Sequence, residues 1–137
     1  MARVLAFDYG MRRTGLAVTD NLKLIATPIG TVNTPELHTW LINYLKTEEV
    51  DTFVVGLPSQ LSGEDTHATQ PVLEFIEKLK MVYPQIVVAT VDERLSSREA
   101  KQSLILGGQK KSKRQDKKLL DTVSATLILQ TYLQTIA

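Results

Sequence analysis

The amino-acid sequence predicts an α/β fold in which five strands form one mixed sheet flanked by about four helices. Two observations support this prediction. The first third of the chain holds three short β-prone runs with no helical pattern between them, and from Thr34 onward segments of helical periodicity alternate with apolar runs of strand length. With 137 residues and no internal repeat or linker, we expect a single domain, residues 1–137, with a sizeable core.

The first two runs, "RVLAFDYG" and "TGLAVTD", are separated by "GMRR" and predict a hairpin in which Gly10 is available for a positive φ. The next run, "KLIATPIGTV", predicts a third strand. Pro28 within it removes one backbone donor, which indicates an edge strand or a bulge. The expected start of the fold is a three-stranded antiparallel meander.

The segment "TPELHTWLINYLKTEEV" then predicts an amphipathic helix, with Thr34 as a possible N-cap and Pro35 at the first helical position. It is followed by "DTFVVGLP", a continuous apolar run that is typical of a parallel strand buried on both faces. We therefore expect this fourth strand at the centre of the sheet.

A second helix, "THATQPVLEFIEKLKMVY", ends before Pro84, and "QIVVATVDER" predicts the fifth strand. Ser96 is a candidate cap for a third helix that ends at Gly107 and Gly108. The last helix is predicted over "LLDTVSATLILQTYLQ". The predicted order is β-β-β-α-β-α-β-α-α.

The composition excludes several classes of protein. With 43% hydrophobic and 23% charged residues the chain is globular rather than disordered, and with no cysteine it has neither disulfides nor thiolate metal sites. The start lacks the pattern of a secretory signal, and no run approaches the roughly 18 apolar residues that span a bilayer. We expect a cytoplasmic protein with no membrane partner.

Positive charge is concentrated in residues 107–118, "GGQKKSKRQDKK", whose net charge of +5 leaves −4 for the rest of the chain. A basic segment of this kind attracts polyanions even when the whole protein is nearly neutral. The alternative interpretation is a solvated, mobile loop that keeps the protein soluble.

Acidic residues follow two of the predicted strands. Asp8 ends the first strand, on the same face as Val4 and Ala6, and Asp92 and Glu93 follow the fifth. The carboxyl ends of strands are where ligands bind in sheets covered by helices. Because neighbouring strand residues point to opposite faces, only one of Asp92 and Glu93 can share a face with Asp8, and spacing alone does not choose between them.

The last helix supplies a further carboxylate. Asp121 begins a helical stripe that continues through Ser124 and Ala125, two residues small enough to let the helix approach the sheet closely. Carboxylates held together need a positive partner, and with only His38 and His67 elsewhere an all-oxygen cluster favours Mg²⁺ or Mn²⁺.

Each acid also has a purely structural interpretation. Asp8 can cap a turn, Glu93 and Arg94 can form a surface ion pair, and Asp121 can favour a helix N-terminus. The metal cluster is the better interpretation of all three together, because one fold brings these strand ends and the last helix to one place.

Four motifs, "AFDYGMRRTGLAVTD", "FVVGLPSQLSGED", "VDERLSSREA" and "LLDTVSATLILQTYL", resemble the YqgF family, also called RuvX, in the same order and over nearly the whole chain. The resemblance implies a ribonuclease H-like fold similar to that of Holliday junction resolvases of the RuvC type. Members of the family are proposed to be nucleases that mature the 5′ end of pre-16S rRNA. The resemblance therefore implies a hydrolase acting in ribosome biogenesis.

Carried over by motif, the resemblance makes Asp8, Glu93 and Asp121 the catalytic acids and the ligands of Mg²⁺ or Mn²⁺, and so chooses Glu93 over Asp92. Many ribonuclease H-like nucleases have four such acids, which leaves Asp92 as a candidate extra ligand. The expected partner is nucleic acid, either structured RNA or a DNA junction. The side chains expected to bind its phosphates are Arg94, Lys110, Lys111, Lys113 and Arg114.

Three alternatives remain open at this point. The chain can be a DNA nuclease that resolves Holliday junctions, or a nucleic-acid-binding or transcription factor that retains the fold without catalysis. The turn "DYGMRRTGLAV" also resembles the phosphate hairpin of actin- and Hsp70-like ATPases, although these need a second lobe for which 137 residues are too few. The sequence leaves open RNA against DNA, the cleavage position, one metal or two, and monomer or dimer.

Overall fold

The computed structural model describes residues 2–58, 69–92 and 113–136. These residues form five strands, one 3₁₀ turn at Thr34–Glu36 and three α-helices. The strands are β1 (Arg3–Asp8), β2 (Arg13–Thr19), β3 (Ala26–Asn33), β4 (Val50–Leu57) and β5 (Val87–Asp92). The helices are α1 (Leu37–Thr47), α2 (Thr69–Val82) and α3 (Lys113–Ile136).

The strands form one mixed sheet in the order β3-β2-β1-β4-β5. β1, β2 and β3 are antiparallel neighbours, whereas β4 runs parallel to both β1 and β5. The predicted meander and the parallel, interior position of β4 are therefore confirmed, although the middle strand of the five is β1. Within the described ranges no helix is both long enough and apolar enough to cross a membrane.

Two apolar layers cover the two faces of the sheet. On one face, α1 and α2 pack through residues such as Leu41 and Ile76 against Phe7 and Phe53. On the other face, within the described residues, α3 packs on strand residues that are all alanine or valine: Val4, Ala6, Ala17, Val54 and Val91. Small residues on the helix and on the sheet, such as Ala125 and Ala17, let α3 pack closely on the strands.

The antiparallel strands confirm the expectation for Pro28 and contradict the one for Gly10. Gly30 has a φ of 145°, and the β2–β3 register shifts beside it, so β3 is an edge strand that also carries a bulge next to Pro28. Gly10 does not have a positive φ. A Cβ at that position would lie 2.6 Å from the carbonyl oxygen of Arg13, so crowding in the turn, not backbone handedness, favours glycine there.

The helices differ from the prediction in their boundaries. Thr34 is not an N-cap of α1, because a 3₁₀ turn precedes that helix. α3 begins at Lys113, well before the predicted start, so the second half of the basic segment is helical rather than a loop, consistent with the good helix propensity of Lys, Arg and Gln. The helix predicted after Ser96 lies outside the described residues, within which there are three α-helices rather than four.

Candidate metal and nucleic-acid site

Three residues form a row across the sheet on the face that α3 covers. Asp8 on β1 pairs with Gly15 on β2, and Gly15 pairs with Thr31 on β3. Directly paired residues of antiparallel strands point to the same face. Asp8 therefore lies at the carboxyl end of β1, beneath the helix that carries Asp121.

Gly15 is where the sheet touches α3. A Cβ at this position would lie 2.5 Å from the carbonyl carbon of Asp121 and 3.2 Å from the backbone nitrogen of Thr122, and closer still to the carbonyl oxygen of Asp121. Any residue other than glycine would push the helix away. Beside this contact the hydroxyl groups of Thr31 and Thr122 are hydrogen-bonded at 2.7 Å. The helix turn at Asp121 is thus held against the same row of residues that contains Asp8.

The carboxylate of Asp121 has a specific partner in the described part of the chain. Nε of Arg13, the first residue of β2, donates to Oδ2 of Asp121 at 2.9 Å. Both side chains are partly buried, with 31% and 27% of their surface exposed. The interaction is therefore more protected from solvent than an ordinary surface ion pair.

Asp121 does not lie at a helix start. α3 begins at Lys113, so Asp121 is in the interior of the helix, and the interpretation of this acid as a helix N-terminal residue is wrong. The rest of the predicted stripe is confirmed, because Ser124, Ala125 and Ile128 are fully buried against the sheet. Asp121 is the polar end of this packing face.

The turn that follows Asp8 is held by a short chain of hydrogen bonds. Thr34 donates from Oγ1 to the carbonyl oxygen of Gly10 at 2.6 Å, and its Oγ1 lies 2.9 Å from the hydroxyl of Thr14. The backbone nitrogen of Thr34 also donates to the carbonyl oxygen of Arg12 at 2.8 Å. These bonds fix the turn between Asp8 and Arg13, and so the position from which Arg13 reaches Asp121.

The structure describes one of the two acids of the "DER" motif, Asp92. Val91 packs with Ala6 and Val54 on the α3 face, and alternation along β5 places Asp92 on the opposite face from Asp8. Glu93, like Arg94, lies outside the described residues.

The basic residues predicted to bind phosphate are only partly within the described ranges. Lys110 and Lys111 lie outside them. Lys113 and Arg114 are the first two residues of α3, and their side chains are not described. The backbone path shows that these two positions belong to the same helix as Asp121, about two turns before it.

The ligand atoms available beside Gly15 fit a hard divalent ion. Asp8 and Asp121 offer carboxylate oxygens, which suit Mg²⁺ and Mn²⁺. Among residues 2–58, 69–92 and 113–136, no group of three acidic, histidine or cysteine side chains is assembled. Asp8 and the backbone of Asp121 both adjoin Gly15, and the third predicted ligand, Glu93, is outside the described chain.

The opposite face of the sheet holds a cavity of about 520 Å³ between α1 and α2. Tyr9, whose ring stacks on Phe75 at 4.3 Å, lies in its wall. Burial, with a smaller contribution from the carboxylate of Glu74, raises the pKa of the Tyr9 hydroxyl. Tyr9 and Asp8 are consecutive residues on opposite faces, so this cavity is not part of the carboxylate site.

Sequence reasoning missed Arg13. The signal was present, because alternation puts Arg13 on the same face as Gly15 and Ala17, the two small residues over which α3 passes. The sequence does not show at which point along β2 the helix crosses it, so it does not pair Arg13 with Asp121.

Comparison with known proteins supports one family. The sequence profile of RuvX, described as Holliday junction resolvase, matches residues 2–135. A protein of Christiangramia forsetii named "Putative pre-16S rRNA nuclease" is 47% identical over 133 residues, covering 97% of this chain and 98% of the relative. A protein of Parabacteroides distasonis with the same name is 45% identical over 134 residues, covering 98% and 96%.

Among solved structures, RuvC of T. thermophilus in complex with a Holliday junction substrate aligns with a TM-score of 0.59, covering 100% of this chain and 98% of that chain. At 15% identity this likeness shows the fold alone, and it confirms the predicted ribonuclease H-like architecture. With a profile match over nearly its full length and relatives above 40% identity, the chain belongs to the RuvX family.

Proposed function

We propose that this protein is a metal-dependent endonuclease that hydrolyses phosphodiester bonds in nucleic acid, with the 5′ end of pre-16S rRNA as its substrate. Asp8, Glu93 and Asp121 hold Mg²⁺ or Mn²⁺ at the carboxyl end of β1. No covalent nucleophile from the protein is needed in this reaction, which suits a chain that has no cysteine and whose two histidines lie outside the four motifs.

The observation that carries the proposal is that Asp8 and Asp121 both adjoin Gly15, Asp8 beside it in the sheet and Asp121 on the helix packed against it. The two acids are far apart in sequence, yet Gly15 pairs with the first and touches the backbone of the second. A divalent ion bound by such carboxylates lowers the pKa of an attacking water and stabilises the negative charge that develops on the scissile phosphate. Glu93 completes the proposed set because the resemblance of its "VDER" motif to the family assigns it the third acid.

The names of the relatives and the charge distribution support the proposed substrate. The relatives are named as nucleases of pre-16S rRNA. The cationic side chains near the start of α3 bind backbone phosphates, which gives affinity without base-specific contacts. Selection of the cleavage site then depends on the shape of the RNA.

The test compares wild type with Asp8→Asn, Glu93→Gln and Asp121→Asn. Glu77→Gln on the outer surface of α2 is the matched control, because it makes the same acid-to-amide change on the opposite side of the sheet. Each protein is measured for melting temperature, for Mn²⁺ binding by calorimetry, and for cleavage of a precursor 16S rRNA 5′ fragment and of a four-way DNA junction.

We expect the three site variants to stay folded, to lose Mn²⁺ binding and to cleave the RNA at least about 100-fold more slowly, while Glu77→Gln behaves as wild type. Site variants that bind Mn²⁺ and cleave as wild type does would refute the site. Preferential cleavage of the DNA junction would replace the RNA substrate by a resolvase activity. Cleavage of neither substrate by Mn²⁺-loaded wild type would favour the binding-factor alternative, and saturable Mg²⁺–ATP binding with turnover would favour the ATPase.

A further inference from the structure

The ion pair between Arg13 and Asp121 connects the first residue of β2 to the interior of α3 across 108 positions of sequence. In the described part of the chain, Asp121 accepts this bond on Oδ2, while Arg13 donates through Nε. A carboxylate has two oxygens, so a single-oxygen contact leaves Oδ1 without this partner and able to bind an ion.

The base of Arg13 is rigid. The hydrogen bonds of Thr34 to the carbonyl oxygens and hydroxyl around the Gly10–Arg13 turn fix the backbone from which the side chain extends. On the other side, Gly15 and Thr31 hold the helix turn that carries Asp121. Two fixed backbones joined by one 2.9 Å bond leave the carboxylate of Asp121 little freedom to rotate.

We propose that Arg13 is a positioning residue for the metal site: its guanidinium holds Oδ2 of Asp121 so that Oδ1 is presented to the divalent ion. The inference rests on the metal site proposed above. The guanidinium also balances part of the negative charge that Asp8 and Asp121 bring together, which limits their mutual repulsion before an ion binds. Groups that orient a ligand in this way commonly change metal affinity by about 10- to 100-fold when they are removed.

A lysine at this position is a poor replacement. Arginine contacts the carboxylate through a planar group with donors in a fixed arrangement, whereas the ammonium of lysine is a compact charge on a flexible stem. Arg13→Lys therefore keeps the charge and loses most of the orientation, which separates the two contributions of Arg13.

The experiment measures Mn²⁺ binding by calorimetry, and the melting temperature without metal, for wild type, Arg13→Gln and Arg13→Lys. Arg12→Gln is the matched control, because Arg12 is the neighbouring arginine of the same turn and its side chain is exposed. Thr31→Val is the second control, since it removes a different side-chain bond between the sheet and the Asp121 turn of α3 and leaves Arg13 in place.

We expect Arg13→Gln to weaken Mn²⁺ affinity about tenfold or more and Arg13→Lys to fall between Arg13→Gln and wild type. Thr31→Val should weaken Mn²⁺ binding less than Arg13→Gln does, and Arg12→Gln should bind as wild type does. Equal or tighter Mn²⁺ binding by folded Arg13→Gln would refute the inference, the tighter result showing that the arginine competes with the ion. If Thr31→Val weakens binding as much as Arg13→Gln does, Arg13 acts only by holding the helix, and the orientation of Oδ1 is refuted.

The proposed metal site and the role of Arg13 fail in different ways. Wild type that binds no Mn²⁺ refutes the site, and the inference with it. Wild type that binds Mn²⁺ through Asp8, with Arg13→Gln binding equally well, refutes the inference alone.

Discussion

Replacing Gly15 by alanine tests the contact on which the site depends. The new methyl group would lie 2.5 Å from the carbonyl carbon of Asp121, whereas ordinary van der Waals contact begins at 3.4 Å. The neighbouring atoms are helix backbone and cannot rotate away. α3 must therefore move outward by about 1 Å, or the β2 strand must bend by as much.

The expected cost is at the upper end of the range for overpacked cores, about 3 kcal/mol. In a domain of this size each kcal/mol lowers the melting temperature by about 4 °C, so Gly15→Ala should melt about 12 °C below wild type. The same displacement carries Asp121 away from Asp8. Because a misplacement of about 1 Å can cost about 100-fold in rate, we expect cleavage to fall by that order in protein that is still folded.

Gly30→Ala is the control. Gly30 also needs its glycine, because its φ is 145°, but a Cβ there would have no neighbour within 4 Å. Its replacement should cost about 1 to 3 kcal/mol through backbone strain and leave Mn²⁺ affinity unchanged. Thermal melts and Mn²⁺ titrations of both variants decide the matter. Gly15→Ala with wild-type stability and wild-type Mn²⁺ affinity would show that α3 does not lie against β2 as described.

Three further predictions concern charge and burial. Alanine replacement of four cationic residues should weaken RNA binding and reduce the salt slope by up to about 3, as measured by titration at several salt concentrations, and an unchanged slope would contradict the phosphate contacts. Those residues are Lys110, Lys111, Lys113 and Arg114. Ser124 is fully buried, and its Oγ has no hydrogen-bond partner within the described residues. Ser124→Ala should therefore raise stability by about 1 kcal/mol in a thermal melt. A loss of stability would indicate that the hydroxyl has a partner. The backbone amides of Ile25, Leu24 and Leu22 donate to Asp20 and hold the pKa of its carboxyl below 3.8. Asp20→Ala should therefore melt below wild type at neutral pH, and the difference in melting temperature should disappear as the pH falls below that value. A difference that does not depend on pH would contradict this prediction.

Local periodicity was sufficient to predict most elements of the fold. The strands around Phe7 and Phe53 follow from a short β-prone run and a continuous apolar run, and each of these patterns is contained in a single segment. Boundaries were less certain where two structures suit the same residues. Lys113 and Arg114 belong to a segment predicted to be a charged loop, but lysine and arginine are also good helix formers, and in the structure these two residues begin α3.

The sequence alone also predicted that Asp8 and Asp121 lie on packing surfaces, because Asp8 ends one apolar pattern and Asp121 begins another. It could not determine how closely those surfaces meet. The position of α3 over the sheet depends on contacts among residues of separate segments, such as Ala6, Ala17 and Ala125, and no single segment determines those contacts.

The contact at Gly15, the ion pair of Arg13 with Asp121 and the hydrogen bonds of Thr34 were therefore decided only by the tertiary structure. Each joins residues from separate elements whose relative height is set by the packed core. A strand or helix pattern determines the direction of a side chain, whereas its partner is determined by the distance between elements, which exists only once the chain has folded.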